Sequence, residues 1–127
     1  TIDKDKEKNM IAKSFFKKAK VLNKIKTEVS DGNKALIKLI KNKKKYDLIL
    51  IDADKENYIS YFNKSLKLLS KKGLLVVDNI LWKGEVINVN SKDKLTQKIK
   101  IFNLHVKKSK INKYILPIGD GFYICWK

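Results

Sequence analysis

Two apolar runs, each halted by an acidic residue, constrain the fold of this chain more than any other feature. The first run is LILI, which is followed by Asp52, and the second is LLVV, which is followed by Asp78. Neither run alternates apolar with polar residues. We therefore expect strands at Tyr46–Ile51 and Leu74–Val77 that are buried on both faces, as in a parallel sheet covered by helices.

The segments around these runs show the periodicity of helices and further strands. Apolar residues at helical spacing predict helices at Glu7–Ala19, Asn57–Leu69 and Lys94–Val106, and another that carries Ala35, Leu36, Leu39 and Ile40. Thr1–Asp3 is interpreted as the end of a strand, and the alternation in Ile25–Val29 predicts another. Two further strands are predicted around the Pro117–Gly121 turn, at Lys113–Leu116 and Phe122–Trp126. Gly73 is expected to end the helix before it as a left-handed C-cap. Alternating helices and strands indicate an α/β fold, mostly parallel, with an antiparallel hairpin at its C-terminal edge.

Composition limits the classes of protein to which this chain can belong. Its 127 residues suit a single domain with a real core, and no apolar run reaches the ~18 residues that a membrane helix needs, so we expect no membrane partner. The net charge is +17, and every basic residue is lysine. This excess either is ordinary solvated surface or forms a polyanion-binding face. The single cysteine, Cys125, is expected in the core and is compatible with a cytoplasmic location.

Acidic residues stand at four successive predicted strand ends. Asp is a common turn and capping residue, so each of them also has a purely structural reading. In open α/β sheets, however, ligands bind beyond the carboxyl ends of the strands. The set comprises Asp3, Asp31, Asp52 with Asp54, and Asp78 with Asn79.

These acids predict a nucleoside side and a cation side of one site. An early strand-end acid such as Asp3 suits ribose hydroxyls, and Asp31 beside Gly32 could accept from an adenine amino group. Three hard oxygen ligands suit Mg²⁺ or a similar divalent cation, and they come from Asp52, Asp78 and Asn79. Lys55 would then stand near the cation, which favours its neutral amine and allows it to act as a base.

Three motifs in order carry a family resemblance over essentially the whole chain. They are DLILIDADKENYISYF, LLSKKGLLVVDNILWKGEV and ILPIGDGFYICWK, with Phe102–Asn103 between the last two. Together they resemble the cation-dependent, S-adenosylmethionine-using O-methyltransferases of the caffeoyl-CoA and catechol type. The resemblance implies a Rossmann-like class I methyltransferase sheet. It also implies that the family's first strand, Gly-rich turn and N-terminal helices lie upstream of Thr1, so that residues 1–127 form a partial domain.

The resemblance also implies roles for individual residues. The metal ligands would be Asp52, Asp78 and Asn79, with Asp52 also on the substrate side through the metal, and Lys55 would be the catalytic base. The cofactor would contact Asp3, Asp31, Gly32 and Asp54. Trp82 and Lys83 would lie in the loop that faces the substrate.

The expected activity is metal-dependent methyl transfer from S-adenosylmethionine to a catechol-like small molecule, by a protein that is a homodimer at full length. One alternative acceptor is a tRNA 5-hydroxyuridine, which the lysine excess favours. A second alternative is a non-enzymatic basic α/β module that binds polyanions.

Overall fold

A computed structural model describes all 127 residues, which form six strands and four α-helices, with three short 3₁₀ segments. None of the helices combines the length and apolar character of a membrane crossing. The chain divides into two compact units, Thr1–Asn42 and Lys43–Lys127. The elements are β1 Ile2–Asp3, α1 Lys6–Lys18, β2 Glu28–Val29, α2 Gly32–Lys41, β3 Tyr46–Ile51, α3 Tyr58–Leu68, β4 Leu69–Val77, α4 Lys94–Lys108, β5 Asn112–Leu116 and β6 Phe122–Trp126, with 3₁₀ turns at Leu22–Lys24, Lys55–Asn57 and Trp82–Ile87.

The first unit is a short parallel strand pair with two helices. β1 and β2 are paired with Ile2 opposite Glu28. The second strand is shorter than the predicted Ile25–Val29, because Leu22–Lys24 forms a 3₁₀ turn and only Glu28–Val29 enters the ladder. An aspartate caps each helix, Asp5 for α1 and Asp31 for α2. The capping carboxylate accepts a hydrogen bond from one of the first-turn N–H groups that have no partner within the helix.

The second unit is a four-stranded mixed sheet in the order β3-β4-β6-β5. β3 and β4 are parallel, whereas β6 runs antiparallel to both β4 and β5. The predicted α/β class and the antiparallel C-terminal hairpin are confirmed. Parallel and antiparallel pairings are equally frequent over the whole chain, because each unit contributes one parallel pair and the hairpin contributes two antiparallel ones.

The core of this unit is aromatic where the two long helices meet. Phe102 of α4 packs edge-on against Tyr58 and Phe62 of α3, with ring centroids 5.2 and 5.8 Å apart. Cys125 on β6 is fully buried, as expected, and burial raises the pKa of its thiol to about 11. Since the thiolate is the nucleophilic form, Cys125 is a core residue with little reactivity at neutral pH.

The prediction that β3 is buried on both faces is wrong. Leu48 and Leu50, which share one face of the strand, are 63% and 61% exposed, whereas Ile51 on the other face is buried. β3 is an edge strand with β4 as its single neighbour, and α3 packs on one face of it. β4 is likewise half-covered, since Leu75 and Val77 are buried and Leu74 is exposed.

The predicted C-cap role of Gly73 is also wrong. α3 ends at Leu68, and the chain continues directly into β4, which contains Gly73. A Cβ at this position would lie 2.8 Å from Leu69 Cδ1 and 2.9 Å from the carbonyl oxygen of Tyr46. The glycine therefore permits close approach of β3 to β4 rather than a left-handed turn.

Candidate functional site

The candidate site begins where β3 and β4 end side by side. Ile51 pairs with Val77 in the parallel ladder, and the backbone N–H of Asp78 donates to the carbonyl oxygen of Ile51 at 3.0 Å. Parallel strands end at the same sheet edge, so the two apolar runs deliver Asp52 and Asp78 to one place. That the two strand ends meet depends only on the direction and register of the strands. The structure shows a parallel pair with Ile51 opposite Val77, as this requires.

Lys55 lies among the oxygen atoms at this edge. Its Nζ donates to Asn79 Oδ1 at 2.7 Å and to the Tyr58 hydroxyl at 2.5 Å, and it lies 3.6 Å from Asp52 Oδ1. The Lys55 side chain is 11% exposed, whereas that of Asp52 is 60% exposed. The ammonium therefore lies at a largely buried point between a carboxylate, an amide oxygen and a phenol.

Tyr58 belongs to this cluster, although it was not among the predicted site residues. Its ring is buried as helical packing predicts, but its hydroxyl also donates to the carbonyl oxygen of Asp78 at 3.0 Å. Burial, followed by the negative charges of Asp52 and Asp78, raises the pKa of the phenol. The spacing of DADKENY, in which Lys55 and Tyr58 lie one helical turn apart, was the signal in the sequence that could have identified it.

The oxygen donors of the cluster suit a hard cation. No group of three or more His, Cys, Asp and Glu side chains is arranged to hold a metal ion, and the candidate set has only two carboxylates plus the amide oxygen of Asn79. Two of these oxygens already face a positive group, because Lys55 Nζ bonds Asn79 Oδ1 at 2.7 Å and lies 3.6 Å from Asp52 Oδ1. Asn79 has φ 57°, a left-handed conformation that asparagine tolerates better than most residues. The residue types therefore fit Mg²⁺ or a similar ion.

The loop after Asn79 is held by the turn between β5 and β6. The N–H of Leu81 donates to the carbonyl oxygen of Asp120 at 2.8 Å, and the N–H of Lys83 donates to Asp120 Oδ1 at 2.6 Å. The N–H of Ile80 donates to the carbonyl oxygen of Gly121 at 3.1 Å. Asp120 was not among the predicted site residues, although the GDG sequence around it was part of the third motif.

This clamped loop carries both residues predicted to face the substrate. Trp82 and Lys83 have φ of 49° and 53°, an unfavourable left-handed conformation for such side chains. Strain of this kind persists only where neighbouring contacts enforce it, and it concentrates at functional sites. The Trp82 ring centroid is 5.9 Å from Lys55 Nζ. Asp93, further along the chain, caps α4, and its carboxyl pKa is lowered mainly by the backbone N–H of Thr96.

Asp54 is a structural acceptor at the start of the 3₁₀ turn that leads into α3. Its Oδ1 accepts from Asn57 Nδ2 at 2.6 Å, and its Oδ2 accepts from the Tyr61 hydroxyl at 2.7 Å. Both carboxylate oxygens thus hold the turn that positions Lys55. Its predicted contact with the cofactor stays a prediction.

The remaining predicted cofactor residues lie in the first unit, where they have local roles. Asp3 Oδ1 accepts from the N–H of Asp5 at 2.9 Å, and Asp31 Oδ1 accepts from the N–H of Lys34 at 3.0 Å. Asp31 thus caps α2, whose first residue is Gly32. Both carboxylates are exposed, with lone pairs left for a further donor, and their roles toward a cofactor stay predictions.

The chain is similar to known proteins over its whole length. A protein-family model described as O-methyltransferase matches residues 1–127. A flavonoid 3',5'-methyltransferase of Vitis vinifera is 34% identical, with 98% of this chain and 57% of the relative covered. Caffeoyl-CoA O-methyltransferase 5 of Nicotiana tabacum is 32% identical, with 98% and 56% covered. The solved structure of an O-methyltransferase from Bacillus cereus in complex with SAH superposes with a TM-score of 0.82 at 28% identity, covering 100% of this chain and 61% of the other. The chain therefore spans a little over half the length of these curated relatives.

Gly121→Ala is expected to destabilise the protein much more than Gly119→Ala. Both glycines have positive φ, of 77° and 57°, which costs an alanine about 1 kcal/mol at either position. At Gly121 the added Cβ would also overlap Leu81, with Cδ1 at 2.8 Å, which adds about 1–3 kcal/mol, whereas nothing lies within 4 Å of a Cβ at Gly119. The free energies of unfolding from urea titrations of the full-length protein measure the difference. Equal losses for the two variants would contradict the close packing of this turn on the loop.

Proposed function

The chain belongs to the O-methyltransferase family, and from this premise we propose an activity for the full-length protein. It transfers a methyl group from S-adenosylmethionine to a hydroxyl of a catechol-like small molecule, with a divalent cation bound at the ends of β3 and β4. The observation that carries the proposal is the position of Lys55 Nζ, between Asn79 Oδ1 and Asp52 Oδ1 at the edge where the two parallel strands end. A lysine held among cation-ligand oxygens can serve as a base for a hydroxyl bound to that cation.

In the proposed reaction the cation would be held by Asp52, Asp78 and Asn79. When bound, it would supply Lewis-acid polarisation of the acceptor hydroxyl and would fix the two adjacent oxygens of the substrate. Lys55 would accept the hydroxyl proton at Nζ, and the oxygen would receive the methyl group as the sulfonium sulfur leaves with the electron pair of the broken bond. Trp82 and Lys83, held by the clamped loop, would border the acceptor.

The cofactor side of the proposal rests on four residues. Asp3 would accept from ribose hydroxyls, the turn at Asp31 and Gly32 would lie by the adenine, and Asp54 would lie on the same side. The exposed carboxylates of Asp3 and Asp31 and the similarity to a protein solved with SAH support this assignment. The proposed full-length protein is a cytoplasmic homodimer.

Asp78→Ala in the full-length protein is expected to abolish metal-stimulated methyl transfer. Loss of a ligand removes electrostatic stabilisation worth several kcal/mol, and each ~1.4 kcal/mol is tenfold in rate, so we expect at least about a 100-fold fall. Methyl transfer from labelled S-adenosylmethionine to a catechol is measured with Mg²⁺ present and after chelation. Asp47→Ala is the matched control, because this exposed acid lies near the opposite end of β3 from the site. There its Oδ1 accepts a hydrogen bond from the Ser70 hydroxyl at 2.7 Å. An activity that survives both the Asp78 substitution and the chelator would refute the metal-dependent mechanism.

The lysine excess favours a second candidate acceptor, a modified uridine in tRNA. A protein with a net charge of +17 is expected to bind tRNA with an affinity that falls steeply as salt rises, because bound lysines displace counterions. A salt titration of tRNA binding by the full-length protein, paired with methyl transfer to tRNA and to a catechol, separates the two acceptors. Binding that is absent, or that does not respond to salt, would eliminate tRNA.

A further inference from the structure

We propose that Tyr58 is a positioning residue that holds the Lys55 amine in the site when a cation draws on Asn79. The inference rests on the proposed function and concerns a residue with no role in it so far. The Tyr58 hydroxyl contacts the proposed base, Lys55 Nζ, at 2.5 Å. It also contacts the backbone oxygen of a proposed metal ligand, Asp78, at 3.0 Å. It thereby links the base to the strand end that bears a metal ligand.

The direction of each hydrogen bond is determined by the number of protons available. A phenol has one O–H, and Tyr58 donates it to the Asp78 carbonyl oxygen, which can only accept. The hydroxyl therefore offers Lys55 a lone pair and no proton. Lys55 must be the donor in the bond between them, whether it is an ammonium or a neutral amine.

This polarity suits a base. A neutral amine has two N–H donors and one lone pair, and the lone pair must remain free to receive the proton of the acceptor hydroxyl. Because the Tyr58 proton is committed to Asp78, the phenol cannot occupy that lone pair. Tyr58 orients the amine through an N–H and leaves its basic orbital directed elsewhere.

A cation changes which acceptors remain for Lys55. In the structure Nζ donates to Asn79 Oδ1 at 2.7 Å, and this oxygen is also one of the proposed metal ligands. The remaining carboxylate contact, to Asp52 Oδ1, is 3.6 Å long and links Lys55 to a side chain that is mostly exposed. Tyr58 is the acceptor that the cation does not use.

Tyr58 is also rigid enough to act as a fixed point. Its residue is 1% exposed, and its ring packs edge-on against Phe102 with centroids 5.2 Å apart. Lys55 Nζ lies 4.7 Å from the centroid of the same ring and 2.5 Å from its hydroxyl, so the lysine nitrogen sits at the hydroxyl end of the ring. A rigid aromatic side chain fixed by core packing thus limits where the flexible lysine can place its nitrogen.

The test is Tyr58→Phe in the full-length protein, with Tyr123→Phe as the matched control. Tyr123 is another buried tyrosine of the same unit, 6% exposed, and its ring also packs against Phe102. Because misplacing a reacting group by about 1 Å can cost about 100-fold, we expect kcat to fall about 10- to 100-fold in Tyr58→Phe. The acceptor KM and the dissociation constant for Mn²⁺ should stay within about twofold of wild type, since the phenol binds neither.

A second readout reports on Lys55 without catalysis. The ¹⁵N order parameter of the Lys55 ammonium, with its signal assigned by its loss in Lys55→Arg, is measured with saturating Mg²⁺. A held ammonium should give a high value in wild type and in Tyr123→Phe, and a clearly lower one in Tyr58→Phe.

The outcomes separate this inference from the function on which it rests. Wild-type protein without methyl transfer would refute the proposed function, whereas an active wild type with equal kcat in both phenylalanine variants would refute the positioning role alone. Loss of Mn²⁺ affinity in Tyr58→Phe would also overturn it, because the phenol would then maintain the metal ligands rather than the base. A mobile Lys55 with unchanged Mn²⁺ affinity and reduced kcat would support it.

Discussion

The parallel pairing of β3 with β4 is the constraint on which the rest of the candidate site depends. It aligns Ile51 with Val77, and the ladder ends with the bond from the Asp78 N–H to the Ile51 carbonyl oxygen. Both strands leave the sheet at the same edge, and the next residue after each is an aspartate. A one-residue slip of β4 in this register would turn its side chains to the opposite face and move Asp78 and Asn79 away from Lys55.

A second set of backbone hydrogen bonds maintains the strained loop beside this edge. Trp82 and Lys83 adopt left-handed backbone conformations, each of which costs about 1–3 kcal/mol of strain. Without restraint, the loop would relax to a more favourable conformation. Three hydrogen bonds to the turn at Asp120 and Gly121 oppose that release. The C-terminal hairpin, which contributes no predicted ligand, is therefore part of the site, because it determines where the loop residues lie.

The sequence predicted the fold class, the C-terminal hairpin and the oxygen cluster, because these follow from short-range periodicity and from the rule that strand ends share an edge. It failed for the outer face of β3, where Leu48 and Leu50 are exposed, since apolar composition cannot tell an edge strand from a central one. It also failed for Gly73, whose need for space comes from a neighbouring strand, and for the hydroxyl of Tyr58, whose partner lies 20 residues away. Apart from the bond between Lys55 and Tyr58, which are three residues apart, these failures depend on how segments distant in sequence pack together.

The central claim is that Asp52, Asp78 and Asn79 form one cation site beside Lys55, and direct binding of Mn²⁺ tests it without any substrate. Electron paramagnetic resonance of free Mn²⁺ during titration of the full-length protein measures stoichiometry and affinity together. We expect saturable binding of one Mn²⁺ per chain that is lost in Asp78→Ala and retained in Asp47→Ala. Wild-type protein that binds no Mn²⁺, or binding that is equal in the two variants, would contradict it.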